Sequence, residues 1–88
     1  LLHQNYKTMF KGQLFQLLDT DSDAIGLIYT PNTDIKENDV EDKWKEFCNS
    51  FSPYADDFVE WLNNELNPTE EYPNGIYFER VFASETFA

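Results

Sequence analysis

The sequence predicts a small α+β domain, with about three antiparallel strands covered on one face by an αα-hairpin in the order β-β-α-α-β. Three observations carry this prediction. Two short apolar runs flank an aspartate cluster, two consecutive segments repeat apolar residues at helical spacing, and an aromatic and β-branched run follows a Pro-Asn-Gly turn. Eighty-eight residues suit one domain with one modest core, so 1–88 is read as a single unit. Eight Phe, five Tyr and two Trp supply that core, a content that acidic disordered segments lack.

Residues 1–8 are polar and without a clear period, and read as a loosely held arm. Residues 11–18 (KGQLFQLL) and 24–30 (AIGLIYT) are short apolar runs bounded by Asp and Ser. Such runs read as two strands of a hairpin. A helix over 9–18 is the alternative, because Phe10, Leu14 and Leu17 also fit one helical face.

The first helix is expected from Asn38, with Glu41 three residues on in the manner of a capping box. Val40, Trp44, Phe47, Cys48 and Phe51 then make one apolar stripe. For the second helix, Ser52 is a suitable N-cap, Pro53 suits the first helical position, and Asn67-Pro68 is a stop. Its apolar face is Tyr54, Ala55, Phe58, Trp61, Leu62 and Leu66. Pro73-Asn74-Gly75 is a turn, since Pro fixes its own φ and Gly accepts a positive one. Residues 76–87 then read as a strand, with Ile76, Phe78 and Phe82 on one face, interrupted by Arg80, and Tyr77, Glu79 and Val81 on the other.

Charge bounds the function. Seventeen acidic residues oppose six basic ones, for a net charge of −11. Twelve of the carboxylates lie in 34–71 against three lysines, so that segment alone carries −9. Such a surface repels DNA, RNA and anionic membrane and attracts basic surfaces. The single cysteine, Cys48, excludes an intramolecular disulfide and leads to an expected reducing, cytoplasmic setting. No apolar run approaches the ~18–20 residues of a membrane span.

Opposite the two apolar stripes stand Asp42, Glu46 and Asn49 on the first helix and Asp56, Glu60 and Asn63 on the second, with Asp57 and Asn64 at the flank. These are expected to form an outward acidic crest with no lysine on its centre line. Lys43 and Lys45 are expected to pair at i,i+4 with Asp39 and Glu41. Trp44 reads as core. Trp61, nearer the edge of its stripe, reads as a partly exposed anchor beside the crest, the kind of aromatic that dominates interfaces. The partner-binding set is therefore Asp42, Glu46, Asp56, Asp57, Glu60 and Trp61.

Catalysis finds little support. His3, the one histidine, has no evident nucleophile beside it, and Cys48 lies within an apolar stripe as a small hydrophobe. No apolar pocket is marked out to raise the pKa of a carboxyl group. Asp19-Thr20-Asp21-Ser22-Asp23 opens like a calcium loop, but Ala24 and Thr30 stand where the loop needs Gly and a bidentate Glu. A polar hairpin turn is the simpler reading, and no metal, cofactor or catalytic residue is assigned.

The expected function is non-catalytic. The chain reads as an acidic protein that docks on a basic protein, namely a nucleic-acid-binding enzyme whose nucleic-acid site it occludes, with no direct contact to nucleic acid or membrane. Small acidic inhibitors encoded by phages and mobile elements share this size and charge, and the analogy rests on those two properties alone. The alternative is an accessory interaction domain whose acidity serves solubility and whose sheet edge serves assembly.

Overall fold

The computed structural model describes residues 2–4 and 11–82. Strand β1 (Leu2–Gln4), β2 (Gln13–Leu18) and β3 (Ala24–Thr30) are followed by helices α1 (Glu37–Ser50) and α2 (Ala55–Glu65) and by β4 (Glu79–Val81). The strands form one antiparallel sheet in the order β1-β2-β3-β4. The expected α+β architecture is thus present, with one strand more at the N-terminal edge. Leu2–Gln4, read as part of a loose arm, pairs with 14–16 of β2; residues 1 and 5–8 of that arm lie outside the described residues. Of the alternative helix over 9–18, residues 13–18 are strand.

The β2–β3 hairpin follows from its turn. One carboxylate oxygen of Asp19 accepts the Asp21 N–H at 2.9 Å and the Asp23 N–H at 2.8 Å, and Ser22 takes a positive φ of 66°. Aspartate is suited to this Asx-type closure. Beyond the turn, Leu18 pairs with Ala24 and Leu17 with Gly26, so Ile25 is an extra residue in β3. That bulge turns Ile25 onto the core.

Register sorts the sheet into two faces. Phe15, Leu17 and Ile28 lie under the helices, and fully buried Phe58, Leu62 and Val40 close on them. Phe58 sits at the centre, its ring 4.9 Å from Trp44 and 5.3 Å from Phe47. On the opposite face Leu14 and Val81 are also buried, which the hairpin-over-sheet picture does not anticipate.

Both helices begin away from their expected caps. α1 starts at Glu37 after Lys36, and no side chain caps it. Asn32 instead organises the approach, its side-chain oxygen accepting the N–H groups of Asp34 and Ile35. The Gln13 amide holds the same loop through the carbonyls of Asn32 and Ile35. α2 starts at Ala55 rather than Pro53, with Tyr54 as an uncapped N-cap. Ser52 and Pro53 belong to the connection, where the Tyr54 N–H bonds the Ser52 carbonyl at 2.8 Å.

Gly26 explains how closely α2 approaches. A Cβ there would lie 2.8 Å from the Arg80 guanidinium and 2.9 Å from the Ala55 Cβ, so only glycine lets that side chain and the helix start cross β3 together.

The segment after α2 returns by side-chain chemistry. Gly75, at φ 76°, donates its N–H to Tyr72 in the expected turn. Residues 76–78, expected in the last strand, are not part of the sheet. The Asn63 amide takes the place of a neighbouring strand for Phe78, donating to its carbonyl at 2.9 Å and accepting its N–H at 2.7 Å. Sheet pairing resumes over Glu79–Val81. The expected alternation of faces persists, but Val81 is buried and Phe82 exposed. Residues 83–87 lie outside the described residues.

Candidate functional site

α1 and α2 run antiparallel, because Lys43 meets Glu65 at one end while Phe47 meets Trp61 and Phe58 nearer the other. Their outward surface carries the sequence-derived partner-binding residues, and the structure divides these into three places.

Asp57, Glu60 and Trp61 line one open groove of about 440 Å³ where α1 hands over to α2. Its apolar part is Phe47, Phe51, Tyr54 and Trp61. Phe51 and Tyr54, expected within apolar stripes, are 54% and 64% exposed. Phe51 lies at the C-cap of α1 and Tyr54 at the N-cap of α2, beyond the end of the helix–helix contact. Phe51 stacks on Phe47 at 5.1 Å and leans toward Trp61 at 6.5 Å, so the exposed rings continue the core outward. The Phe51-Ser52-Pro53-Tyr54 connection was the available signal: aromatics beside a helix-breaking proline sit on a loop.

Asp42 and Glu46 border a second depression of about 360 Å³, with Asp39, Glu65, Glu70 and Glu71 around it. Lys43 occupies the seam between the two depressions, which corrects the expected lysine-free crest. Its ammonium lies 3.2 Å from Glu65, 3.5 Å from Glu46 and 5.6 Å from the Trp61 ring centre. Burial disfavours its charge, but the hydrogen bond to Glu65 and the fields of Glu46 and Glu65 outweigh that and hold its pKa above the ordinary value. The expected Asp39–Lys43 pair gives way to this arrangement. Asp39 instead accepts the Tyr72 hydroxyl at 2.6 Å. Desolvation and that bond push the Tyr72 pKa up to about 12. Lys45 does pair with Glu41, at 3.3 Å.

Asp56 stands apart. It faces Arg80, whose Nε is 3.1 Å away, and Arg80 in turn lies over Phe82 at 5.0 Å. Asn63 likewise turns toward the C-terminal segment, so the outermost line of α2 is rotated from Asp56–Asn63 toward Glu60–Asn64. Among the described residues, Asp42, Asp57 and Glu60 have no cation within ion-pair distance.

Cys48 is exposed, not buried in the stripe. It borders a broader depression of about 610 Å³ with Leu18, Trp44 and Pro53, above the β2–β3 turn. Only Val40, Trp44 and Phe47 of α1 are buried, so the buried line is narrower than the apolar stripe. Partial desolvation pushes the Cys48 thiol above its ordinary pKa, which keeps it protonated at neutral pH. Trp44 is core as expected, and its indole N–H bonds the Leu18 carbonyl at 3.0 Å. Among the described residues no group of three or more His, Cys, Asp or Glu is arranged to hold a metal ion, and no helix is long and apolar enough to cross a membrane.

No protein-family model matches the chain, and neither does any curated protein or solved structure.

Proposed function

We propose that the protein is a non-catalytic inhibitor that docks the outer surface of α1 and α2 on a basic protein, occluding the nucleic-acid site of a nucleic-acid-binding enzyme. One observation carries the proposal. Asp42, Asp57 and Glu60 project from the helix pair without cation partners among the described residues, and Asp57 and Glu60 do so beside the exposed rings of Phe51 and Tyr54. Asp56 and Glu65 are neutralised internally and Asp57 also favours the dipole from the first turn of α2, whereas Asp42 and Glu60 have neither role. The exposed rings beside Asp57 and Glu60 supply the anchor that a purely solubilising face does not need. Successive carboxylates on one helix face stand about 5–6 Å apart, a spacing comparable to that of phosphates along a strand. A cytoplasmic site of action, and an origin in a phage or mobile element, belong to the same proposal through size, charge and the single free cysteine.

The test is charge reversal at Asp42, Asp57 and Glu60 together, leaving the ion-paired Asp56 and Glu46 intact. The triple lysine variant should remain folded, with each change shifting stability by about 0.5 kcal/mol. Binding to a nucleic-acid-binding enzyme captured by the wild type should then slow in its association step. The wild-type complex should weaken steeply with salt, and the enzyme's own nucleic acid should compete for the same site. Undiminished binding by the triple variant at low salt would refute the proposal.

A further inference from the structure

We infer that the groove between Phe51, Tyr54 and Trp61 is an anchor site for a single arginine side chain presented by a basic protein segment. This deepens the proposed function and rests on its reading of the helix pair as a docking surface. The occupant follows from charge complementarity. The groove is apolar at its floor, where Phe47 and Trp61 are tied into the core, and acidic at its wall, where Asp57 and Glu60 stand. An apolar guest would strand those two carboxylates in a drier setting, and an anionic one would be repelled by them. A cation with an apolar stem satisfies both parts of the groove.

Arginine fits better than lysine for two reasons. Its planar guanidinium stacks on aromatic faces, and Phe51 and Tyr54 offer two largely exposed rings. Its five donors can also be shared between two carboxylates, whereas an ammonium acts as a compact point charge. Asp57 and Glu60 are three residues apart on α2, hence about 5–6 Å apart at their Cβ atoms and within reach of one guanidinium. The chain already uses this chemistry twice on itself. Lys43 lies against Trp61 between Glu46 and Glu65, and Arg80 lies over Phe82 beside Asp56. The groove repeats the same pairing of ring and carboxylate: Lys43 already covers the Trp61 ring, whereas Phe51, Tyr54, Asp57 and Glu60 have no cation of their own among the described residues.

Two probe peptides of equal length and charge, a glycine–arginine repeat and a glycine–lysine repeat, test the inference with the full chain at low ionic strength. Binding is read by calorimetry and by tryptophan emission. The arginine peptide should bind roughly two- to fivefold more tightly, within the scale of one exposed cation–π contact. Tyr54→Ala should reduce that preference, since it removes one of the two stacking rings. Asp57→Asn with Glu60→Gln should weaken both peptides, while Asp42→Asn should weaken both and leave the preference in place. Tyr54 is an exposed N-cap, so its loss leaves the fold intact by urea melt. Equal affinity for the two peptides, or a preference undiminished by Tyr54→Ala, would overturn the arginine anchor alone, provided that both peptides still bind through the carboxylates. Failure of both peptides to bind the wild type at low salt would overturn the anchor and the docking surface together.

Discussion

Replacing Asn63 by Ala tests how the last part of the chain is held. The Asn63 side chain makes two hydrogen bonds to the backbone of Phe78, a residue with no exposed surface. Each is worth about 1 kcal/mol net, and an orphaned buried donor or acceptor adds a further ~1–3 kcal/mol. Asn63 is itself half-buried, so water reaches part of the gap and lowers the total. The expected loss is about 2–3 kcal/mol, a large share of the stability of a domain this small. Asn64→Ala is the control, because it makes the same change on the same helix at an exposed position. Any gain in helix propensity, about 0.5 kcal/mol, appears in both variants and cancels in the comparison. Urea melts followed by far-UV circular dichroism supply the two stabilities, and hydrogen exchange should show the Phe78 amide losing protection selectively in Asn63→Ala. If the two variants agree within ~0.5 kcal/mol and the Phe78 amide stays protected, Asn63 does not hold this segment in solution.

Phe58→Ala should cost roughly 3–5 kcal/mol in urea melts, since the ring is fully buried among Trp44, Phe47 and Trp61; a loss under ~1 kcal/mol would mean that the helix pair does not close over it. Tyr72 titrates at about 12, above its ordinary 10.0, so the folded state favours the protonated phenol. Its contribution should be complete below pH 10.0 and disappear between 10.0 and about 12. Tyr72→Phe should therefore differ most from wild type at neutral pH and converge on it in alkaline melts. A difference unchanged across that window would contradict the half-buried hydrogen bond to Asp39. Calorimetry with millimolar calcium should show no saturable heat from the Asp19 turn, where Asp19 already accepts two backbone N–H groups; a micromolar dissociation constant would overturn that reading.

Much of the fold was legible because local chemistry and tertiary structure agree. The Asp19 turn is closed by the side chain of its own first residue, so its signal is contained in five consecutive positions. The buried positions Val40, Trp44 and Phe47, and Ala55, Phe58 and Leu62, are those at which helical spacing and apolar character coincide. The caps were less legible. Asn38 and Ser52 have good capping chemistry, yet the helices start at Glu37 and Ala55. In α1 the start is set by a loop pinned from a distance through Gln13, nineteen residues from Asn32. The short strand β1 carries no period of its own and becomes visible only through its register with β2.

The candidate site divides in the same way. The acidity of the helix pair and the outward direction of Asp42 and Glu60 follow from composition and helical spacing alone, because a helix amphipathic in sequence turns its charged side from any core it meets. Which carboxylates are neutralised is decided in three dimensions. Lys43 reaches Glu65 across twenty-two positions and Arg80 reaches Asp56 from another element, contacts without local sequence periodicity. Phe51 and Tyr54 show the same limit, since apolar character predicts burial only where another element arrives to cover the ring. Composition and periodicity were enough for an acidic α+β domain with two amphipathic helices. Which rings stay exposed, and which charges stay unpaired among the described residues, depends on how far apart the elements finally lie, and that is set by the tertiary packing.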